Sequence, residues 1–360
     1  MRINGHSHLL PYPEQIPSFL KEKEIFWIDQ DRKFMYQKNW RRPITDDSFF
    51  LNEKLEWMGR HDIDHAVVLN LSQLYGNGLR VEEMKQALRF QNDFNAQIQE
   101  EHPDKFTCGF VIHAGFVRSA LWEIERCVEN LGLKVLCLPT HYMDSVGTWR
   151  TIFDKEVEPI FELANHYKLA VEIHPYDGEK FIKLENVSWR FHLVWMLAQC
   201  ADAYHFFTLQ GYAEKYPNMR VCFAHGGQLA QMNLGRRIQG FDGRPDLFEG
   251  MAHPRKSVGH PNIYFDTLVH DCDSLELMVR RNGTNQIICG LDDPYPLGEM
   301  ESSPQSSYPG KLLDLALERS IISAQQYDEI WQNNVLRWLG ARHDHSFKNR
   351  LNLAHDSSEV

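Results

Sequence analysis

The chain has 360 residues, 43% hydrophobic and 24% charged, which is enough apolar material for a sizeable core. Its formal net charge of −11 argues against a nucleic-acid partner, because phosphate binding needs clustered Lys and Arg, although a few local arginines still permit a small anionic ligand. No apolar run approaches the ~20 residues of a membrane helix and MRINGHSH has no apolar signal segment, so a cytoplasmic protein without a membrane partner is expected.

In chain order, the first candidate strand is RIN (2–4), followed at once by GHSH. His6 and His8 stand one residue apart, so in extended backbone both point to the same face. Alone, the pair is equally consistent with two surface imidazoles. Residues 11–50 read as a long insertion carrying PYPEQIP, Trp27, Trp40 and the pair Arg41 and Arg42. Helical periodicity in LNEKLEWMGRH (51–61) then leads to the strand HAVVLNL (65–71). A long helix from 79 to 102 leads to KFTCGFVI (105–112), and ALWEIERCVENL (120–131) to LKVLCLP (133–139). VEPIFELANHYK (157–168) precedes LAVEIH (169–174). A second insertion, 177–200, carries Trp189 and Trp195; beyond it lie a helix through FFTLQGYAEKYP and the strands MRVCFAH (219–225), NIYFDT (262–267) and QIICGLD (286–292).

Near-continuous apolar strands alternating with amphipathic helices imply a parallel sheet covered by helices on the outside. Eight such repeats predict a (β/α)8 TIM barrel occupying about 1–340, with insertions after strands one and five and a polar extension over 341–360. An open doubly wound sheet is the rival, but no GxGxxG follows the first strand. The seven cysteines are scattered, form no CxxC pair and sit in apolar contexts, as buried reduced thiols do.

In a parallel barrel, chemistry gathers where the strands end. His6 and His8 close strand one, His174 strand five, His225 strand six and Asp292 strand eight. Singly, each has an ordinary structural role: His174 as a core imidazole, Asp292 as a turn cap before Pro294. Together at one mouth, the five indicate a metal site. Imidazoles with a carboxylate suit Zn²⁺, and Fe²⁺, Co²⁺ or Mn²⁺ are compatible with the same ligands. Lys134 precedes the fourth strand's apolar run, the wrong end for bridging a second ion, so a single metal is expected.

The segments INGHSHLLP, EIHPYD, EKYPNMRVCFAHGG, GRRIQGFDGRPDL, DTLVHD and GLDDPYPLGE resemble the amidohydrolase superfamily. More narrowly, they resemble its branch that decarboxylates 2-amino-3-carboxymuconate 6-semialdehyde in tryptophan (kynurenine) catabolism. The resemblance runs from residue 3 to about 340. It implies that His6, His8, His174 and Asp292 hold the metal, with Asp292 at the reacting centre, and that His225 is the acid/base. It implies that Arg236 reaches a neighbouring subunit's substrate carboxylate, hence a homodimer, and that Tyr295 lies against the substrate. An arginine of the first insertion, Arg41 or Arg42, and a tryptophan, Trp189 or Trp195, complete the implied substrate contacts. No organic cofactor is implied; the substrate is a small anionic unsaturated or aromatic carboxylate. Hydrolysis of an ester, lactone or C–C bond by the same site is the alternative, and a non-catalytic binding protein is disfavoured by the intact ligand set. Three departures touch substrate choice: Asp293 stands where the family has an aromatic, placing a charge beside the metal; Gln228 stands where it has glycine; and the family's first-insertion arginine has no clean counterpart, Tyr36 falling near its place with Arg32 before it and Arg41 and Arg42 beyond.

Overall fold

The computed structural model describes residues 1–38, 40–176, 187–301 and 307–341. Residues 177–186 of the second insertion and the tail from 342 lie outside the described residues. The eight segments read as strands all form strands: β1 (Ile3–Ser7), β2 (His65–Val68), β3 (Phe106–Val111), β4 (Val135–Pro139), β5 (Ala170–His174), β6 (Arg220–Phe223), β7 (Ile263–Asp266) and β8 (Ile287–Ile288). They lie side by side in sequence order, and every registered pair is parallel. The sheet closes on itself where Gly5 N donates to Cys289 O (2.7 Å), Asp292 N to His6 O (2.8 Å) and His8 N to Asp293 O (2.9 Å). The architecture is therefore the expected (β/α)8 barrel.

The helices relevant to the site are α1 (Leu51–Arg60), α2 (Val81–Glu101), α3 (Val117–Glu125), α4 (Glu158–His166), α5 (Met196–Leu209), α6 (Gln228–Met232), α7 (Leu234–Gly243), α8 (Cys272–Asn282), α9 (Lys311–Glu318) and α10 (Asn334–Leu339). Period-2 alternation divides the strand residues between two cores. One set, including Leu136, Val171, Val221 and Phe265, packs outward against the helices. The other, Val67, Val135, Ala170, Cys222, Tyr264 and Ile288, fills the barrel and is plugged by Val335 and Trp338 of α10. On β5 the inward series runs Ala170, Glu172, His174, so the same alternation that buries the core aims His174 into the C-terminal mouth.

The first insertion folds into a small antiparallel sheet of Trp27–Ile28, Phe34–Gln37 and Trp40–Pro43. Its apolar cluster of Phe26, Met35, Phe49 and Phe50 takes in Leu71 and Leu74 from the loop after β2, with Tyr295 packed against it, which seats the insertion over the barrel mouth. All seven cysteines are buried and unpaired. Among the described residues no helix is long and apolar enough to cross a membrane.

Candidate metal centre

His6, His8 and His174 are each oriented through their Nδ1 atoms. Nδ1 of His6 faces Asp266 Oδ2 (2.9 Å), that of His8 faces Leu69 O (3.2 Å), and that of His174 faces Pro175 O (2.7 Å). Carbonyl and carboxylate oxygens only accept, so Nδ1 carries the proton in each ring and Nε2 is left with a bare lone pair. Those lone pairs converge. His6 Nε2 and His8 Nε2 are 3.2 Å apart, and Asp292 Oδ1 lies 3.2 Å from the latter and 3.6 Å from the former. Two lone pairs and a carboxylate held together in a buried site repel one another unless a cation lies among them.

The ligand atoms of His6, His8 and Asp292 all fall within 4.8 Å of one another, as do those of His6, His174 and His225. His6 belongs to both groups, so all five strand-end residues surround one point of the mouth. The donor set, imidazole nitrogens with one carboxylate, suits a divalent transition metal. Electrostatics agree. Burial lowers the basicity of His6, but its hydrogen bond to Asp266 and the charge of Asp292 outweigh that and raise it to about 9. Burial also opposes ionisation of Asp292, yet the surrounding histidines hold it well below the usual carboxylate range. A site that draws in a proton so strongly draws in a metal cation by the same field.

Asp266, at the end of β7, was not singled out from the sequence, although it too is a polar residue closing a strand. Its carboxylate orients His6 and also accepts from the backbone N–H groups of His225 (3.0 Å), Gly226 (2.7 Å) and Leu268 (3.2 Å). This one group therefore ties His6 to the turn that carries His225. That turn needs its glycines. Gly226 and Gly227 have φ of +61° and +50°, and a Cβ on Gly226 would come within 2.3 Å of the Val269 side chain. The Asp266→Asn enzyme is expected to bind zinc roughly 10- to 100-fold more weakly, as measured by competition with a chromogenic chelator. Unchanged affinity would reduce Asp266 to a brace of the turn.

His8, His174, His225 and Asp292 open into a cavity of about 130 Å³ whose wall also includes Arg42, Trp189, Gln228 and Tyr295. Arg42 and Arg41 are neighbours on one strand and so face opposite ways. Arg42 turns to the cavity, with its guanidinium 5.1 Å from the Tyr295 ring centre and Nη2 2.8 Å from His192 Nε2. Arg41 is exposed and packs over Phe34. Of the two tryptophans, Trp189 lines the cavity, and Trp195 is not part of its wall. Tyr295 meets His8 edge-on at 5.0 Å. Burial takes His225 down to about 4, a neutral imidazole whose Nε2 lies 3.9 Å from Asp292 Oδ2. Arg236 is exposed on α7 and does not line this cavity. A larger groove of about 660 Å³ between α2 and α3 contains no cluster of ligand-type atoms among the described residues.

The amidohydrolase family profile matches residues 5–334, a stretch that runs from within β1 through β8 and takes in all five convergent residues. The chain belongs to the amidohydrolase family. It is 28% identical over 352 residues to the 2-amino-3-carboxymuconate-6-semialdehyde decarboxylase of Dictyostelium discoideum, covering 94% of this chain and 92% of that protein. It is 22% identical to the protein of the same name from Caenorhabditis elegans, covering 83% and 87%. Among solved structures, 5-carboxyvanillate decarboxylase from Sphingomonas paucimobilis superposes with a TM-score of 0.73 at 18% identity, covering 94% of this chain and 98% of that one. At that identity the likeness shows the fold.

In this amidohydrolase, Asp293 does not place an uncompensated charge beside the His6–His8–Asp292 cluster, as its position next to Asp292 suggests. Its carboxylate is fully buried and ion-paired with Lys54 of α1, and it accepts further hydrogen bonds from Asn4 Nδ2 and Ser7 Oγ (2.9 Å). Lys54 Nζ also donates to Ser7 Oγ (3.2 Å). Asn4 and Ser7 flank His6, and Asp293 adjoins Asp292, so this buried network fastens the first strand to the segment after β8 directly beneath the convergent side chains.

Proposed function

We propose that this amidohydrolase is a non-oxidative decarboxylase of 2-amino-3-carboxymuconate 6-semialdehyde, or of a closely similar unsaturated or aromatic carboxylate. It depends on one divalent metal, zinc in our reading, and acts in the cytoplasm in tryptophan catabolism. The observation that carries the proposal is the convergence of three Nε2 lone pairs and the Asp292 carboxylate on a cavity that also receives the Arg42 guanidinium. The names of the curated relatives supply the substrate class.

His6, His8, His174 and Asp292 hold the ion. When bound, a divalent metal supplies Lewis acidity and lowers the pKa of a coordinated water towards ~7. Arg42 pairs with a substrate carboxylate, and Tyr295, packed against both Arg42 and His8, fixes the angle at which the substrate plane approaches. Breaking the carbon–carboxylate bond releases CO2 and leaves the electron pair on carbon, where a proton must replace the lost group. His225, neutral beside the ligands, takes a proton from solvent water at Nε2 and delivers it to that carbon, so the proton consumed replaces the CO2 released. Arg236, exposed on α7, completes the carboxylate clamp of a second copy in a homodimer. A hydrolytic reaction at this site would call for a second acid to protonate the leaving group; the nearby carboxylate, Asp293, is instead buried in an ion pair with Lys54.

The test is direct. Zinc-loaded enzyme is expected to bleach the near-ultraviolet band of the semialdehyde and release one CO2 per substrate consumed; consumption of water without CO2 would make it a hydrolase. Arg42→Lys and Arg236→Ala are each expected to raise KM about tenfold with zinc content unchanged, since a bidentate partner is lost. An unchanged KM would remove that arginine from the clamp.

A further inference from the structure

Gln228 is a departure from the family pattern that the proposed chemistry leaves unused. It opens α6 immediately after the His225–Gly227 turn and forms part of the cavity wall. Its amide is held from outside the cavity by Ser274, in the first turn of α8, at 3.0 Å. The hydrogen-bond direction there is fixed by a third residue. Ser274 Oγ lies 2.7 Å from Asp271 Oδ2 and Ser274 N donates to Asp271 Oδ1 at 2.8 Å, the N-terminal cap of α8. A carboxylate only accepts, so the single hydroxyl proton of Ser274 is committed to Asp271. Ser274 Oγ can then only accept a further bond, and the atom of Gln228 facing it must be the amide nitrogen. The oxygen, Oε1, is thereby turned away from Ser274, and among the described residues it has no hydrogen-bond partner. Ser274 thus presets the rotamer of a carbonyl oxygen in the wall beside His225.

We infer that Gln228 makes this site selective for substrates carrying a hydrogen-bond donor, an amino or hydroxyl group, next to the carboxylate. The inference rests on the decarboxylase reading and deepens it: Arg42 recognises the anionic end, and Gln228 Oε1 recognises a neighbouring N–H or O–H. A substrate without the donor leaves Oε1 desolvated and unmatched, and that unmet acceptor produces the discrimination. Glycine at this position has no side chain with which to impose such a requirement.

The experiment compares 2-aminobenzoate with 2-methylbenzoate, near-isosteric carboxylates that differ in the donor, as competitive ligands of the full-length zinc-loaded enzyme. The wild type is expected to bind the amino compound about tenfold more tightly, the value of one well-placed hydrogen bond. Gln228→Met is expected to bind the two equally. Ser274→Ala, which leaves Gln228 in place but releases its amide to turn over, is expected to narrow the preference. Equal affinities in the wild type, or a preference that survives in Q228M, would overturn the role of Gln228 and leave the decarboxylase intact. A wild type that binds neither ligand would overturn the carboxylate-site reading along with it.

Discussion

The His225→Ala enzyme is expected to retain its zinc and lose about 10²- to 10⁴-fold in kcat, the usual contribution of a positioned acid/base group. The division of labour behind this expectation comes from the local geometry. His6, His8 and His174 each have Nδ1 tied to an oxygen acceptor, the arrangement that presents Nε2 to a metal. His225 is held instead through its backbone N–H, which donates to Asp266, so its ring is placed by the turn rather than by a bond to Nδ1. Its ring centre is 5.1 Å from that of His174 and stacks with that of His6 at 5.8 Å, close enough to serve the same substrate atom. Metal analysis of the variant decides the assignment. Loss of zinc together with activity would make His225 a ligand, joining the His6–His174 group whose donor atoms already lie within 4.8 Å of its own.

The Lys54→Met enzyme is expected to be less stable by about 3–5 kcal/mol, read as a fall in the urea midpoint. Removing one partner leaves the Asp293 carboxylate buried without its countercharge. Lys54→Met with Asp293→Asn is expected to recover much of that loss, because the double change removes both charges together. The single variant is also expected to bind zinc more weakly, since Ser7 and Asp293, both bonded to Lys54, adjoin the proposed ligands His6, His8 and Asp292. A single variant as stable as the wild type would mean that the bonds from Asn4 and Ser7 suffice to hold the carboxylate without Lys54.

The barrel was legible because burial on both faces writes each parallel strand as a short apolar run, and those runs match β1–β8. His6, His8, His174 and Asp292 were legible for a related reason: a polar residue closing such a run has nowhere to point but the mouth. Asp266 obeyed the same rule in NIYFDT, so its signal was present. Lys54 carried no signal. In LNEKLEWMGRH a lysine reads as a solvated helix position, and its partner, Asp293, is remote in sequence, just beyond the closing strand. Choosing between Arg41 and Arg42 required knowing that residues Trp40–Pro43 form a strand and which side of it faces the mouth. The insertion's mixed polarity hides both. That Trp189 rather than Trp195 lines the cavity likewise follows from how the segment from 187 onward is placed, which composition does not encode.

The most direct test of the account is metal analysis combined with X-ray absorption on protein purified without chelator and loaded with zinc. One ion per chain, surrounded by a nitrogen and oxygen shell at ~2.0–2.1 Å and lost on His174→Ala, is the predicted result. Sulfur scatterers at ~2.3 Å, or a chain that retains its full zinc content without His174, would contradict it.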